Sequence, residues 1–203
     1  MRQVTVLGSC GAFPEPGRAC SGLAIEWDGP SGGPRLPLYC PPGVLDRLAG
    51  LEPDVDLRTV FDPRPLPGHH RAGPFALSGT LLPHWVDNAG IRLEADGTAI
   101  AYSGDTGPTP LLADLGRDAD LFIVEATDRP GERERPDRNL MTAAEAGLWA
   151  RRAHARRVML THFWPGNDRT AALQAPGTAF PGEILIADED LTIPLGYPAR
   201  GSA

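Results

Sequence analysis

The segment that decides the fold is residues 102–127, which read YSGDTGPTPLLADLGRDADLFIVEAT. Its last part, ADLFIVEAT (119–127), is a short continuous apolar run that contains a carboxylate near its end, a pattern typical of a buried strand. Upstream of this strand, PTPLLADLG (108–116) predicts a helix that begins at a proline and ends at a glycine. The segment therefore predicts a turn, a helix and a strand, with Asp105 in the turn and Glu125 at the strand end.

The neighbouring segments extend this alternation of strand and helix. Residues 89–105, AGIRLEADGTAIAYSGD, alternate around Asp-Gly and predict a β-hairpin. Thr142 and Glu145 form a capping box at the start of the predicted helix TAAEAGLWARRAHA. RRVMLTHF then predicts a buried strand that ends at His162. The second half thus reads strand–helix–strand–helix–strand, an α/β layered pattern. A final hairpin is predicted over 182–195, GEILIADEDLTIPL.

The first half is rich in turns, because 24 glycines and 22 prolines interrupt the chain. Short apolar runs between the turns predict strands in QVTVLGSCGA, GLAIEWDG, LPLYCPP, LRTVF and PFALSGTLLPH. GVLDRLAGL predicts a short helix, PGHHRAGP a turn, and DRPGERERPDR (128–138) an exposed charged loop.

Length and composition predict one domain, residues 1–203. The formal net charge of −7 argues against non-specific binding to nucleic acid or to an anionic membrane, because both favour a basic surface. The sequence has no pattern of a secretory signal or of a membrane-spanning run. Its three cysteines, Cys10, Cys20 and Cys40, are an odd number without a CxxC pair, which favours reduced thiols and a cytoplasmic location.

Three polar residues follow apolar runs at predicted strand ends: His84 in LLPHW, Asp105 in YSGDTGP and His162 in MLTHFWPG. Two imidazoles and one carboxylate are a ligand set that suits zinc, manganese or iron. Glu125 ends the intervening strand and could orient one of these ligands. The alternative is structural, because an Asp before Thr-Gly-Pro often caps backbone N–H groups and a single His after a strand is usually a packing residue.

Three segments, in the same order, resemble the metallo-β-lactamase-fold superfamily on its RNase Z-like and phosphodiesterase-like side. They are VTVLGSCGAFPEPGRACSGLAIEWDG (4–29), the segment 102–127 quoted above, and TAAEAGLWARRAHARRVMLTHFWPG (142–166). The resemblance implies an αββα sandwich with a dinuclear metal site between two sheets. In that family an HxHxDH motif supplies four ligands. The resemblance further implies that His84 is the later His ligand, Asp105 the bridging Asp and His162 the last His.

The sequence departs from the family in two places. No HxHxDH motif occurs, and GLAIEWDG continues into LPLYCPPGVLDRL through a short Pro/Gly link. The strands and helices that carry the motif in the family are therefore absent, and the fold is expected to be truncated in its N-terminal half. Asn139 occupies a position where similar proteins often have a His associated with the active site.

We therefore expect a hydrolase-like protein with a degenerate metal site, which holds one zinc ion at most or none. Single-metal hydrolysis of an ester or phosphodiester is one hypothesis, with His84 and Asp105 as catalytic residues, His162 as a further ligand, and Glu125 and Asn139 as supporting residues. A second hypothesis is a non-catalytic descendant that binds a small molecule or a protein. A third is a metal-independent enzyme that uses His84 or Asp105 as general acid or base. The missing strands also leave sheet edges that a homodimer would cover.

Overall fold

The computed structural model describes residues 3–8, 22–26, 35–51, 54, 56–129, 138–175 and 180–195. The elements of these residues are, in chain order, β1 (Gln3–Gly8), β2 (Gly22–Glu26), β3 (Leu36–Cys40), α1 (Val44–Leu51), α2 (Leu57–Val60), β4 (Phe61–Pro65), β5 (Gly68–Ala72), β6 (Phe75–Leu82), β7 (Asn88–Ala95), β8 (Thr98–Tyr102), α3 (Leu111–Leu115), β9 (Leu121–Glu125), α4 (Ala143–Arg152), β10 (Arg157–Thr161), α5 (Arg169–Gln174), β11 (Glu183–Ile186) and β12 (Thr192–Pro194). The α/β class expected from the sequence is confirmed.

The largest sheet has seven strands in the order β11-β10-β9-β8-β7-β6-β5. Strands β8 to β11 are parallel to one another, whereas β5, β6, β7 and β8 pair antiparallel in succession. Strands β6, β8, β9 and β10 consequently run in one direction and end at the same edge of the sheet. The residues that follow these four strands therefore meet at that edge, which is where loops of layered α/β folds gather functional groups.

Side chains cover both faces of the seven-stranded sheet. On one face, Phe122 and Val124 of β9 pack with Trp149 of α4 and Leu112 of α3. On the opposite face, Ile100, Leu121, Ile123 and Met159 pack with Ile193 of β12, which belongs to another sheet. Every residue of β9 and β10 is buried. This arrangement of helices, sheet and second sheet agrees with the sandwich that the sequence resemblance implied.

Local sequence signals place several elements correctly. The hairpin of β7 and β8 turns at Asp96 and Gly97, whose φ angles of 50° and 74° fit a tight primed turn. Helix α4 begins with the expected capping box, in which the Thr142 hydroxyl accepts from the Glu145 N–H and the Glu145 carboxylate accepts from the Thr142 N–H. Helix α3 begins after Pro110 and ends at Gly116, also as predicted.

The predicted final hairpin is wrong. Strand β11 instead pairs parallel with β10, whereas β12 pairs antiparallel with β1 in a different sheet. The physical reason is that α5 returns the chain alongside β10, so β11 extends the parallel sheet. The chain then crosses to the second sheet, where Ile193 and Leu195 are buried between the sheets.

Three other local predictions are also corrected. Leu57–Val60 form the short helix α2 rather than a strand, because the Asp56 carboxylate accepts from the Arg58 N–H as an N-cap. His69 and His70 lie in strand β5 rather than in a turn. The sequence predicts Arg138 at the end of an exposed charged loop, whereas its side chain is only 11% exposed because it pairs with Asp128 and Glu145. Residues 130–137 of that loop lie outside the described residues.

Among the residues that the structure describes, there are two smaller sheets: a three-stranded sheet in the order β12-β1-β2 and a two-stranded sheet formed by β3 and β4. Their boundary falls between β2 and β3, which the short Pro/Gly link of the sequence joins. Cys40 lies at the end of β3, while Cys10 and Cys20 lie outside the described residues. No helix in the described part of the chain is long and apolar enough to cross a bilayer.

Candidate functional site

Three of the residues selected from the sequence converge at the common edge of the large sheet. His84 follows β6, Asp105 follows β8 and His162 follows β10. The Nε2 atom of His84 lies 3.9 Å from Oδ2 of Asp105, and Nε2 of His162 lies 3.3 Å from Oδ1. The two imidazoles are 11% and 12% exposed, whereas the Asp105 side chain is 34% exposed. The cluster is therefore partly buried and opens to solvent at the carboxylate.

The His84 ring is held by a backbone acceptor. Its Nδ1 atom lies 2.9 Å from the carbonyl oxygen of Asn139. A carbonyl can only accept, so Nδ1 carries a proton, and Nε2 is the ring nitrogen that faces Asp105. Asn139 thus contributes to the site through its main chain. This contact does not depend on which side chain the position carries.

The His162 ring is held by a hydroxyl group. Its Nδ1 atom lies 2.7 Å from Oγ1 of Thr127, so that Nε2 again faces Asp105. Burial lowers the pKa of His162, the charge of Asp105 raises it and His84 lowers it, with a net shift below the ordinary value. His162 also has a φ of 59°, an uncommon left-handed conformation of the kind found where a site fixes the backbone.

Glu125 connects the three segments that carry the cluster. Its fully buried carboxylate accepts from the N–H groups of Thr106 (3.1 Å), Met141 (3.1 Å) and Thr127 (3.0 Å), and from the Thr127 hydroxyl (2.6 Å). Thr106 follows Asp105, Thr127 contacts His162, and Met141 lies two residues after Asn139. Burial, the largest effect, raises the Glu125 pKa, the hydrogen bonds from Thr127 and Thr106 lower it, and the charge of Asp105 raises it, with a net pKa of about 8.

The segment before Asn139 is fixed by Arg138 and Gly107. The Arg138 guanidinium donates to both carboxylate oxygens of Glu145 (2.8 and 2.7 Å) and to Asp128 (2.9 Å). A Cβ atom at Gly107 would overlap the Arg138 carbonyl group. Only glycine permits this approach. The sequence reasoning missed both residues, although the second glycine of SGDTG was an available signal of a close backbone contact.

The donor atoms around Asp105 form two pairs, which we call half-sites: Nε2 of His84 with Oδ2 of Asp105, and Nε2 of His162 with Oδ1. Two ligand atoms that each lie about 2.1 Å from a tetrahedral ion are about 3.4 Å apart. The distances of 3.3 and 3.9 Å are near this value, and they involve different oxygens of Asp105. Among the described residues, no group of three or more His, Cys, Asp or Glu side chains could hold a metal ion. Each imidazole faces one carboxylate oxygen. The two distances therefore suit a metal ion, although the donor atoms form two separate pairs and no group of three.

The other histidines add nothing to this donor set. The chain has five histidines. His69 and His70 lie on β5, where Nε2 of His70 is 2.8 Å from the carbonyl oxygen of Pro65. His154 follows α4 and is exposed. The residues that could hold a metal are therefore His84 with one oxygen of Asp105, and His162 with the other.

Comparisons with known proteins agree with this fold. A family model described as the beta-lactamase superfamily domain matches residues 29–163. An uncharacterized protein of Mycobacterium tuberculosis is 31% identical over 172 residues, which cover 77% of this chain and 60% of that protein. The ribonuclease Z of Myxococcus xanthus is 35% identical over 102 residues, 49% of this chain and 33% of that enzyme. An uncharacterized protein of Mycobacterium leprae is 30% identical over 148 residues, 71% of this chain and 50% of that protein. The chain thus spans 50 to 60% of the length of its mycobacterial relatives.

Solved structures show the same architecture at lower sequence identity. The metallo-beta-lactamase fold protein YhfI of Bacillus subtilis has a TM-score of 0.75 at 21% identity, with 95% of this chain and 99% of that chain covered. The short form of human tRNase Z has a TM-score of 0.73 at 18% identity, with 96% and 100% covered. At these identities the likeness concerns the fold alone.

Proposed function

This chain belongs to the β-lactamase superfamily and has its metallo-β-lactamase fold, and on that premise we propose that it is a metal-dependent hydrolase of phosphodiester or other ester bonds. The observation that carries the proposal is the position of Asp105. Its two oxygens each face the free Nε2 atom of a different histidine, His84 or His162. A carboxylate in this position could supply an oxygen ligand to a divalent ion beside either histidine.

The ligand set is smaller than that of an ordinary catalytic zinc site. Such sites usually have three protein ligands and one open position. Here each half-site has one imidazole and one carboxylate oxygen from the described residues. We therefore propose weak metal binding, with at most one ion of the zinc type retained through purification. A bound divalent ion would act as a Lewis acid toward a phosphoryl or carbonyl oxygen.

The chain's own groups support hydrolysis by fixing orientation. The Asn139 carbonyl and the Thr127 hydroxyl hold the two imidazoles with their free nitrogens toward Asp105. Hydrogen bonds of this kind to ligating histidines raise metal affinity and fix the ring orientation. The ribonuclease Z relatives act on RNA, as their name says. The net charge of −7 disfavours a long polyanion, so we propose a small ester or phosphodiester as substrate.

The test is an assay with bis(p-nitrophenyl) phosphate. The protein is treated with a chelator, dialysed, and assayed with and without added Zn²⁺ or Mn²⁺. We expect hydrolysis only after metal addition. Asp105→Asn should reduce the rate more than His162→Ala, because Asp105 belongs to both half-sites. His69→Ala, on the exposed side of β5, is the matched control. No hydrolysis by metal-loaded protein, or full activity of Asp105→Asn, would refute the proposal.

A second candidate is a metal-independent reaction at the same residues. The observation that favours it is the contact between His162 and Asp105, whose Nε2 and Oδ1 atoms lie 3.3 Å apart, while no group of three or more side chains among the described residues could hold a metal ion. An imidazole near neutrality is suited to general acid–base catalysis. Activity that survives chelation but is lost in His162→Ala would favour this candidate. Ligand binding without turnover would instead favour a non-catalytic descendant.

A further inference from the structure

The segment that follows His84 presents the most exposed large apolar side chain among the described residues. Trp85 is 70% exposed and its neighbour Val86 is 57% exposed. The Trp85 and His84 rings have centroids 4.9 Å apart and planes inclined at 60°. The indole therefore lies directly beside a histidine of the candidate site, with most of its surface in solvent.

Hydrogen bonds fix Pro83 and His84, the two residues that precede Trp85. The Gly107 N–H donates to the Pro83 carbonyl at 3.0 Å, and the His84 ring is bonded to the Asn139 carbonyl. The indole is thus attached to a fixed part of the fold. Support of the His84 ring alone does not account for its exposure, because an edge contact uses only a small part of the indole surface. An exposed indole beside a fixed polar cluster offers a face on which a planar group such as a base can stack.

We propose that Trp85 stacks on the base of a small nucleotide whose phosphoryl group lies at the cluster of His84, Asp105 and His162, and that it thereby determines specificity. This inference rests on the proposed function, since it takes the cluster as the position of the phosphoryl group. A single base is favoured over a longer strand, because the net charge of −7 opposes a polyanion. Base–aromatic stacking tolerates any base identity, so Trp85 would select for a planar group rather than for one sequence.

The test measures binding rather than turnover. Isothermal titration calorimetry of the full chain, with Zn²⁺ present, compares adenosine 5′-monophosphate with ribose 5-phosphate, which lacks the base. We expect the wild-type protein to bind the nucleotide more tightly. Trp85→Ala should weaken nucleotide binding on the order of 5- to 100-fold and leave ribose 5-phosphate binding unchanged. Trp85→Phe should keep most of the nucleotide affinity. Leu36→Ala, an exposed apolar residue on β3, is the control.

Two results would overturn the inference. If Trp85→Ala weakens the binding of both ligands equally, the indole acts only by supporting His84. If the wild-type protein binds both ligands with equal affinity, or binds neither, the base makes no contact with the protein. The outcome is independent of the hydrolysis assay. A protein that selects the nucleotide but hydrolyses no ester would contradict the proposed function and keep the stacking role, whereas hydrolysis without selection would do the reverse.

Discussion

The seven-stranded sheet and the segment of residues 35–67 differ in how much core they bury. Every residue of β9 and β10 is buried. By contrast, no residue of β3 or β4 is buried. The segment contributes mainly Leu45 and Leu66 to the buried apolar residues. The region that carries the candidate site thus has a core covered on both faces, while the region next to the absent motif is thinly packed.

This contrast explains how the chain can lack the family's HxHxDH motif and keep the fold. His84, Asp105 and His162 follow strands of the large sheet, which packs against α3 and α4 on one face and against β12 on the other. That packing is formed by strands and helices that the described residues contain. The loss therefore removes ligands without removing the scaffold of the residues that remain. The contrast also ranks the effects of mutations, with large effects expected in the sheet and small ones in residues 35–67.

The largest expected effect is on stability in the core of the large sheet. Phe122→Ala should reduce the free energy of unfolding by about 3–5 kcal/mol, because the ring is fully buried between β9 and the helices. Leu36→Ala on β3, where the side chain is 58% exposed, should cost less than about 0.5 kcal/mol. Urea denaturation of both variants measures the difference. Similar losses in the two variants would contradict the contrast between the two regions.

A pair of glycines tests the same contrast through backbone contacts. Gly107→Ala should destabilise by about 3 kcal/mol and lower any activity, because its Cβ overlaps the Arg138 carbonyl beside the residue that holds His84. Gly50→Ala lies in α1 with open space around the new Cβ, so it should stabilise by about 0.5–1 kcal/mol. Thermal unfolding and the hydrolysis assay measure both variants. If Gly107→Ala changes neither the stability nor the activity, residues 138 and 139 can shift to admit the Cβ atom at no cost.

The sequence predicted those parts of the fold whose signals are local. The hairpin at Asp96-Gly97 and the Thr142–Glu145 capping box depend on residues a few positions apart, and both are confirmed. The pairing of β11 and β12 was predicted incorrectly, because their partners β10 and β1 are distant in sequence. A hairpin and two strands of different sheets have the same alternating pattern. Only the packing of Ile193 between the sheets distinguishes them.

The candidate site shows the same division. His84, Asp105 and His162 were found because each follows a strand, and the parallel direction of those strands brings them together. The contacts that hold them could not be found in this way. Thr127 contacts His162 across 35 positions, and the Asn139 carbonyl contacts His84 across 55 positions. A main-chain carbonyl has no signature in the sequence, so this contact is visible only in three dimensions.

The buried carboxyl of Glu125 predicts a pH dependence of stability. Burial raises its folded pKa to about 8, from an ordinary value of 4.5. The folded state therefore keeps a proton that the unfolded state loses, and the unfolding free energy should fall as pH rises from about 4.5 to about 8. Chemical denaturation at several pH values should show this slope in the wild-type protein and in Glu183→Gln, an exposed control. Glu125→Gln should abolish it, and an unchanged slope there would contradict the assignment.

The smallest expected difference concerns two arginines that both form ion pairs. Arg138 is 11% exposed and binds Asp128 and Glu145 together, whereas Arg58 is 61% exposed and forms its ion pair, among the described residues, with Asp46. Exposed pairs contribute about 0–1 kcal/mol, because solvent screens the charges and the side chains lose entropy. Arg58→Ala should thus change stability by less than about 0.5 kcal/mol, and Arg138→Ala should cost about 1–3 kcal/mol because two half-buried carboxylates lose their partner.

Arg138→Lys separates charge from geometry in this comparison. Lysine keeps the positive charge but lacks the planar fork that donates to both oxygens of Glu145. We expect it to recover only part of the stability, and to leave the Asn139 carbonyl less firmly placed against His84. A change in the Nδ1 signal of His84 by NMR would report that loosening. Full recovery by lysine would mean that charge alone fixes the segment, and the orientation of His84 would then depend on Glu125 and Gly107.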